Sequence, residues 1–454
     1  MSKGPIISIS GIRGVIGKSL NVRQIVDLSA AFGTMIGKVS KDENPVVVLG
    51  RDSRTTGELL SQMVRTALRA TGCKVVDLGI VPTPTVAIYL ERIKAAGGVV
   101  ITASHNPAEW NGLKFMNAKG LFLSDAEMAT VLAVIENDAF QWADFRGAGT
   151  FEKRTDAVSY HLERILNLPH IDRDALRKRK FRVAVDTVRG AGGPIMRELL
   201  EGLGCDFHGI NLEPDGQFPH DPEPRPDNLR ELCSLVQETG ADLGFACDPD
   251  TDRLTLVSET GVPLSEEMTI VLAAQYIMGR NPGPMVVNLS TTRAMDELAA
   301  AFKVKLYRSP VGELNVVREM VERNATVGGE GNGGVILPEL HLGRDAPLAA
   351  ALTLSLLAES GKSLSQLTDR YPRYHLDKIK YAIGDNPPET LLRSLQEQLP
   401  VGKSDLRDGL RFDLPYGWLH ARKSNTEPII RVVMEAVTET HLKSLKEITD
   451  RVFS

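Results

Sequence analysis

Apolar and polar positions along this chain fall into a pattern that occurs three times. An apolar, β-branched run gives way to small and polar residues with an arginine, then to a helix-like stretch, in PVVVLGRDSR from Pro45, FRVAVDTVRG from Phe181 and MVVNLSTTRA from Met285. Each predicts a buried strand feeding a helix, because a continuous apolar run bounded by turn residues suits a strand covered on both faces. A second apolar run closed by a polar loop follows each time: KVVDLGIVPTPT from Lys74, HGINLEPDGQFP from His208 and VKLYRSPVGELN from Val304. A third run then ends in an unusual loop: GGVVITASHNP from Gly97, ADLGFACDPDTDR from Ala241 and ATVGGEGNGG from Ala325.

Strands alternating with helical segments predict α/β domains with mixed, mostly parallel sheets, in which ligands gather outside the carboxyl ends of the strands. Three odd loops at the same place in three repeats are therefore expected to converge on one central cleft. The last eighty or so residues break the pattern, with hairpin signals at Asp408-Gly409 and Tyr416-Gly417 before a final helix, and predict a smaller α+β domain. The expected division is 1–152, 153–254, 255–370 and 371–454.

Composition narrows the function classes. A chain of 454 residues exceeds what one core usually serves, and 42% hydrophobic with 24% charged residues is ordinary for a globular protein. The net charge of −5 and the lack of a Lys/Arg run interleaved with aromatics argue against a nucleic-acid partner. The opening MSKGPIISIS has no long apolar stretch, and nothing approaches 18 uninterrupted apolar residues, so no membrane partner and a cytoplasmic location are expected. Cys73, Cys205, Cys233 and Cys247 form no CxxC and read as reduced structural thiols.

The loops carry the chemistry. Asp248, Asp250 and Asp252 alternate directly after an apolar run, so that carboxylates two apart point inward from a tight loop. Three oxygen ligands in five residues suit a hard cation such as Mg²⁺, and Arg253 adds a charge suited to phosphate. An EF-hand is excluded because Arg253 stands where its glycine is needed. TASHNP sets Ser104 beside His105 after a strand, with Lys114 nearby; a phosphorylated Ser104 would bring about −1.5 to −2 charge for a facing cation to neutralise. GGEGNGG contains GxGxxG from Gly329 to Gly334, but Pro338 follows where a dinucleotide fingerprint would open a helix. It reads instead as a backbone loop in which Glu330 and Asn332 bond sugar hydroxyls. RKSNTEP offers Arg422, Ser424, Asn425 and Thr426, with Arg431 nearby, as a grip for a phosphate dianion. There is no GxxxxGK[ST] to bind ATP.

TASHNP, DPDTDR, a GE-led glycine loop and RKSNTEP stand in the order found in the α-D-phosphohexomutases, and the chain resembles that family along essentially its whole length. The resemblance implies a phosphoserine at Ser104, Mg²⁺ held by its phosphate with Asp248, Asp250 and Asp252, and a small-molecule sugar phosphate as partner of a monomer or homodimer. It implies transfer through a hexose 1,6-bisphosphate, with the sugar's resident phosphate on Arg422, Ser424, Asn425, Thr426 and Arg431, and proton transfer by Lys114 or by Arg13 in GIRG. Many relatives read GExSGH where this chain has Asn332 for the Ser and Gly334 for the His, so that His is expected to be replaced by His341. The GEGNGG form is similar to the branch acting on glucosamine phosphate; mannose and glucose phosphates are the alternative.

Two rivals stand beside this reading. A haloacid-dehalogenase-like phosphatase would use Asp248 of the Asp-x-Asp as nucleophile, but expects Thr or Val where Asp252 stands. A non-catalytic sugar-phosphate sensor would bind without turnover.

Overall fold

The computed structural model describes residues 4–8, 11–383, 386–424 and 429–453. The first unit contains β1 (Ile6–Ser8), β2 (Gly11–Val15), α1 (Val22–Val39), β3 (Val46–Arg51), α2 (Gly57–Ala70), β4 (Lys74–Ile80), α3 (Thr83–Arg92), β5 (Gly97–Ile101), β6 (Trp110–Asn117), α4 (Asp125–Glu136) and β7 (Phe151–Lys153). The second contains α5 (Ala157–Leu166), α6 (Arg173–Arg179), β8 (Arg182–Asp186), α7 (Gly192–Gly202), β9 (Asp206–Ile210), α8 (Arg230–Thr239), β10 (Leu243–Cys247) and β11 (Leu254–Ser258). The third contains α9 (Glu267–Met278), β12 (Met285–Asn288), α10 (Ala294–Phe302), β13 (Leu306–Ser309), α11 (Glu313–Arg323), β14 (Val327–Glu330), β15 (Gly334–Ile336), α12 (Ala346–Ser360) and α13 (Leu364–Thr368). The fourth contains β16 (His375–Ala382), α14 (Pro388–Gln398), β17 (Lys403–Asp405), β18 (Leu410–Leu414), β19 (Gly417–Lys423), β20 (Ile429–Ala436) and α15 (Glu439–Phe453).

The three predicted repeats share one sheet plan. The first and third strands of each repeat pair in parallel, as β3 with β5, β8 with β10 and β12 with β14. The second strand lies parallel on the other side of the first, as β4, β9 and β13. An antiparallel strand then returns beside the third, as β6, β11 and β15. The loop joining the third strand to its return therefore leaves each sheet at the carboxyl end of that strand, where the three odd motifs lie. In the first unit β2 and β1 extend the sheet past β6, and β7 closes its other edge.

Two boundaries differ from the sequence division. The cut after residue 152 would pass through β7, and that after residue 254 would pass through β11, which pairs with β10. The return strand belongs to the repeat whose loop it closes, so the second unit runs through Ser258. The second and third units also share one apolar core, from Leu162 and Phe245 through Ile270 and Leu354. α12 buries every residue from Ala346 to Leu357, which is why its sequence APLAAALTLSLL has no polar face. The fourth sheet is antiparallel throughout, in the order β16-β20-β19-β18-β17, with α14 and α15 packed on it.

Candidate functional site

Ser104 lies just beyond β5 in a left-handed backbone conformation, φ 52°, which an L-residue adopts only when its surroundings enforce it. Here Arg54 does so. Its fully buried guanidinium donates to the carbonyls of Ser104 and Asn106 at 2.6 Å each, of Pro107 at 2.6 Å and of Trp110 at 2.9 Å, and its Nε to Asp52 Oδ2 at 3.0 Å. Asp52 also accepts from Thr102 Oγ1 at 2.6 Å, and Thr102 in turn accepts the Ser104 amide at 2.9 Å. The GRDSR run thus clamps the serine loop, a role the sequence reading did not assign to Arg54.

The Ser104 hydroxyl faces the aspartate loop and donates to Asp248 Oδ2 at 3.2 Å. His105 Nδ1 lies 3.3 Å from the same hydroxyl, and Arg13 Nη1 donates to Asn106 Oδ1 at 3.2 Å. Asp248 Oδ1 accepts the amides of Asp252 and Arg253 at 3.1 and 3.2 Å, which winds the loop tightly with Thr251 at φ 58°. Asp250 Oδ2 accepts from Lys114 Nζ and Thr83 Oγ1, both at 2.7 Å. Lys114 also stands 3.6 Å from Asp252 Oδ2, and Arg253 Nε 3.6 Å from Asp252 Oδ1.

All three aspartates are wholly buried, and one carboxylate oxygen from each can be chosen so that all lie within 4.8 Å of one another. Asp250 Oδ1 and Asp252 Oδ1 are buried acceptors without a hydrogen-bond partner. Burial, with Asp252 and Asp250 alongside, drives Asp248 well above the carboxylate range. Burial alone would also raise Asp250, but the Lys114 ammonium outweighs it and holds Asp250 below that range. Three crowded carboxylates with unmet oxygens are what a divalent cation relieves, and the residues fit Mg²⁺.

The glycine loop adjoins this cluster. Glu330, at the end of β14, accepts from Asn288 Nδ2 at 2.8 Å, the Gly312 amide at 3.1 Å and Arg344 Nη1 at 2.5 Å, while Asn332 Nδ2 lies 3.5 Å away. Burial would raise Glu330, but Arg344 and Asn288 hold it below its ordinary range. Asn332 Oδ1 is a buried acceptor with no partner. Arg344 also donates to Asp252 Oδ2 at 2.6 Å and so spans both loops. His341, expected to stand in for the missing imidazole, is turned elsewhere: its Nε2 lies 3.1 Å from Asp345 Oδ2, which His161 Nε2 meets at 2.7 Å. A Cβ at Gly334 would instead lie 2.2 Å from Arg344 Cδ, so Arg344 occupies that space.

In the fourth unit Arg422 on β19 and Arg431 on β20 are direct register partners, which puts two cations opposite each other on one face of the sheet. Burial draws the Arg422 guanidinium down and Arg431 adds to this, against the pull of Asp408 and of Glu330. Arg422 is therefore within electrostatic reach of the glycine loop. Ser424 is buried and its amide donates to the Ile429 carbonyl at 2.9 Å. Asn425 and Thr426, the remaining residues of the expected phosphate grip, lie outside the described residues.

Comparison with known proteins agrees along the whole chain. Models of the phosphoglucomutase/phosphomannomutase alpha/beta/alpha domains I, II and III match residues 6–142, 159–261 and 265–374, and that of the C-terminal domain matches 386–452. A phosphoglucomutase/phosphomannomutase of Thermococcus kodakarensis is 36% identical over 448 residues, covering 98% of this chain and 97% of the relative. A probable phosphoglucosamine mutase of Methanopyrus kandleri is 33% identical over 448 residues, covering 98% and 96%. Among solved structures, a phosphoglucomutase/phosphomannomutase family protein of Burkholderia thailandensis superposes with a TM-score of 0.85 at 27% identity, covering 98% of this chain and 97% of that one.

Proposed function

The chain belongs to the phosphoglucomutase/phosphomannomutase family and is a phosphohexomutase, and from that premise we propose that it interconverts glucosamine 6-phosphate and 1-phosphate through a phosphoserine at Ser104. The observation that carries the mechanism is the meeting of Ser104 Oγ and Asp248 Oδ2 at 3.2 Å across two different repeats. It sets a phosphate carrier against a cation site.

The bond from phosphorus to Ser104 Oγ breaks as one forms to a sugar hydroxyl, whose proton passes to a basic group at the cleft. The product is a hexose 1,6-bisphosphate. Oγ takes up a proton as it leaves; the bisphosphate then turns over, Oγ gives that proton up as it attacks the other phosphorus, and the sugar oxygen freed by that P–O cleavage is protonated, leaving the isomeric monophosphate. Mg²⁺ held by Asp248, Asp250 and Asp252 would supply neutralisation of the phosphoryl oxygens. Lys114 and Arg13 add positive charge along the transfer path, and His105 lies within hydrogen-bonding reach of Oγ. The facing pair Arg422 and Arg431 sets two guanidinium groups opposite each other, which suits the phosphate that stays in place while the other moves. Asp248 already accepts from Ser104 and from two loop amides, which favours a ligand over the phosphatase nucleophile.

For the sugar, the buried acceptor Asn332 Oδ1 beside the glycine loop, without a hydrogen-bond partner, suits an amino donor. The Methanopyrus kandleri relative bears the name of a phosphoglucosamine mutase, and that of Thermococcus kodakarensis supports glucose and mannose phosphates as the second reading. Turnover of the three 6-phosphates, assayed in parallel with Mg²⁺ and trace bisphosphate, is expected to show the highest kcat/KM for glucosamine. Equal values would remove the preference and leave the class intact. Intact mass is expected to show one phosphate on the wild type and none on Ser104→Ala; a phosphate retained by the inactive variant would end the phosphoserine reading.

A further inference from the structure

We propose that Arg344 is a positioning residue that couples the aspartate loop to the glycine loop, and that position 334 is a glycine in order to admit it. The inference rests on the reading of those loops as metal and sugar sites. Arg344 is 7% exposed and its guanidinium meets carboxylates from three separate segments. Nη2 donates to Asp252 Oδ2 at 2.6 Å, Nη1 donates to Glu330 Oε2 at 2.5 Å, and Nε lies 2.9 Å from Glu313 Oε2 in the first turn of α11. A planar fork with fixed donor directions sets the separation of the groups it bridges; a lysine ammonium, a single point charge on a flexible stem, does not. One side chain therefore holds a candidate metal ligand and the glycine loop's carboxylate in a fixed relation.

The backbone on which Arg344 stands is itself anchored. The neighbouring Asp345 caps α12 through the Leu348 amide at 2.9 Å and meets His161 and His341, while the Ala346 amide donates to the Thr251 carbonyl at 3.4 Å. The guanidinium is thus aimed from a helix start that is tied to the aspartate loop.

Gly334 gives the independent observation. Its φ is not among the positive values, so a side chain there is not barred by backbone conformation. It is barred by Arg344: an added Cβ would lie 2.2 Å from Cδ and 2.8 Å from Cγ. Gly334 and Arg344 are a matched pair.

The test measures Mg²⁺ affinity by calorimetry without sugar, KM and kcat on the best sugar phosphate, and melting temperature, for wild type, Arg344→Lys, Arg344→Ala, Gly334→Ala and Gly334→Ala/Arg344→Ala. Removing the partner that orients a metal ligand costs about 10- to 100-fold in metal affinity, so Arg344→Lys is expected to weaken Mg²⁺ by that factor and to raise KM. Gly334→Ala is expected to reproduce this loss in the wild-type background and to add far less once Arg344 is truncated, when the tightest remaining neighbour of the new Cβ is Asn332 Oδ1 at 3.2 Å. If Arg344→Lys melts earlier yet keeps its Mg²⁺ affinity and KM, or if Gly334→Ala costs the same in both backgrounds, the inference falls while the mutase reading stands. A wild type that neither binds Mg²⁺ nor turns over any sugar phosphate would overturn both.

Discussion

Ser104 pays for its placement with a left-handed backbone, worth about 1–2 kcal/mol for a residue bearing a Cβ. Ser104→Gly and Ser104→Ala are both expected to be inactive, but the glycine variant should be the more stable by roughly 1 kcal/mol in urea unfolding. Arg54 keeps that conformation in place through four carbonyls and Asp52. Its loss in Arg54→Ala leaves a buried carboxylate without its cation, at a cost of roughly 3–5 kcal/mol. Turnover is expected to fall by about 10²-fold or more, since a shift of about 1 Å in a reacting group has that effect. Wild-type stability together with wild-type turnover in this variant would remove the clamp. Ser104 and the aspartates were legible because each ends an apolar run with an unusual string of polar residues. Arg54 and Arg344 were not, because the carbonyls that Arg54 holds lie 50 to 56 residues away and the carboxylates of Arg344 14 to 92, and no local pattern announces a contact of that separation.

At the scale of elements, α12 shows how one helix start serves several ends. Asp345 caps it, and the same carboxylate is met by His161 from α5 and His341 from the loop before the helix. Thr85 on α3 meets the other nitrogen of His161 at 2.9 Å, so three units join at this point. Asp345→Ala removes a cap worth about 0.5–2 kcal/mol and leaves buried ring nitrogens unpaired at about 1–3 kcal/mol each. Asp345→Asn keeps a capping oxygen and is expected to recover part of the loss in thermal melts; equal melting of the two variants would mean the cap contributes nothing. The repeating strands were visible in the sequence because buried parallel strands are continuous apolar runs. The expected unit boundaries after 152 and 254 cut β7 and β11 because an apolar run does not state which sheet it joins.

Across the whole molecule, the fourth unit docks on the third through polar contacts. His420 on β19 links Ser290 Oγ at 2.7 Å to the Asp408 carbonyl at 2.7 Å, Asp408 Oδ2 accepts the Val311 amide at 2.9 Å, and Lys378 meets Glu266 at 2.6 Å. Burial lowers His420 to about 4, despite the opposing Asp408 contacts. A depressed imidazole contributes stability that is complete above its unfolded value, about 6.5, and is lost as pH falls towards 4. Burial also depresses His105, so unfolding followed at pH 7 and pH 5 is expected to show a loss that shrinks in His420→Asn by the His420 share, bounded at roughly 3 kcal/mol over the full window, and does not vanish. An equal loss in the variant would place the titration elsewhere. The sequence by itself determined the threefold strand pattern, the separate C-terminal unit and the motif-bearing loops, because periodicity, turn chemistry and clustered carboxylates are local properties. Only the tertiary structure decided that Arg54 clamps the serine loop, that Arg344 rather than His341 takes the space beside Gly334, and that the second and third units share a core, because each depends on side chains brought together from distant parts of the chain.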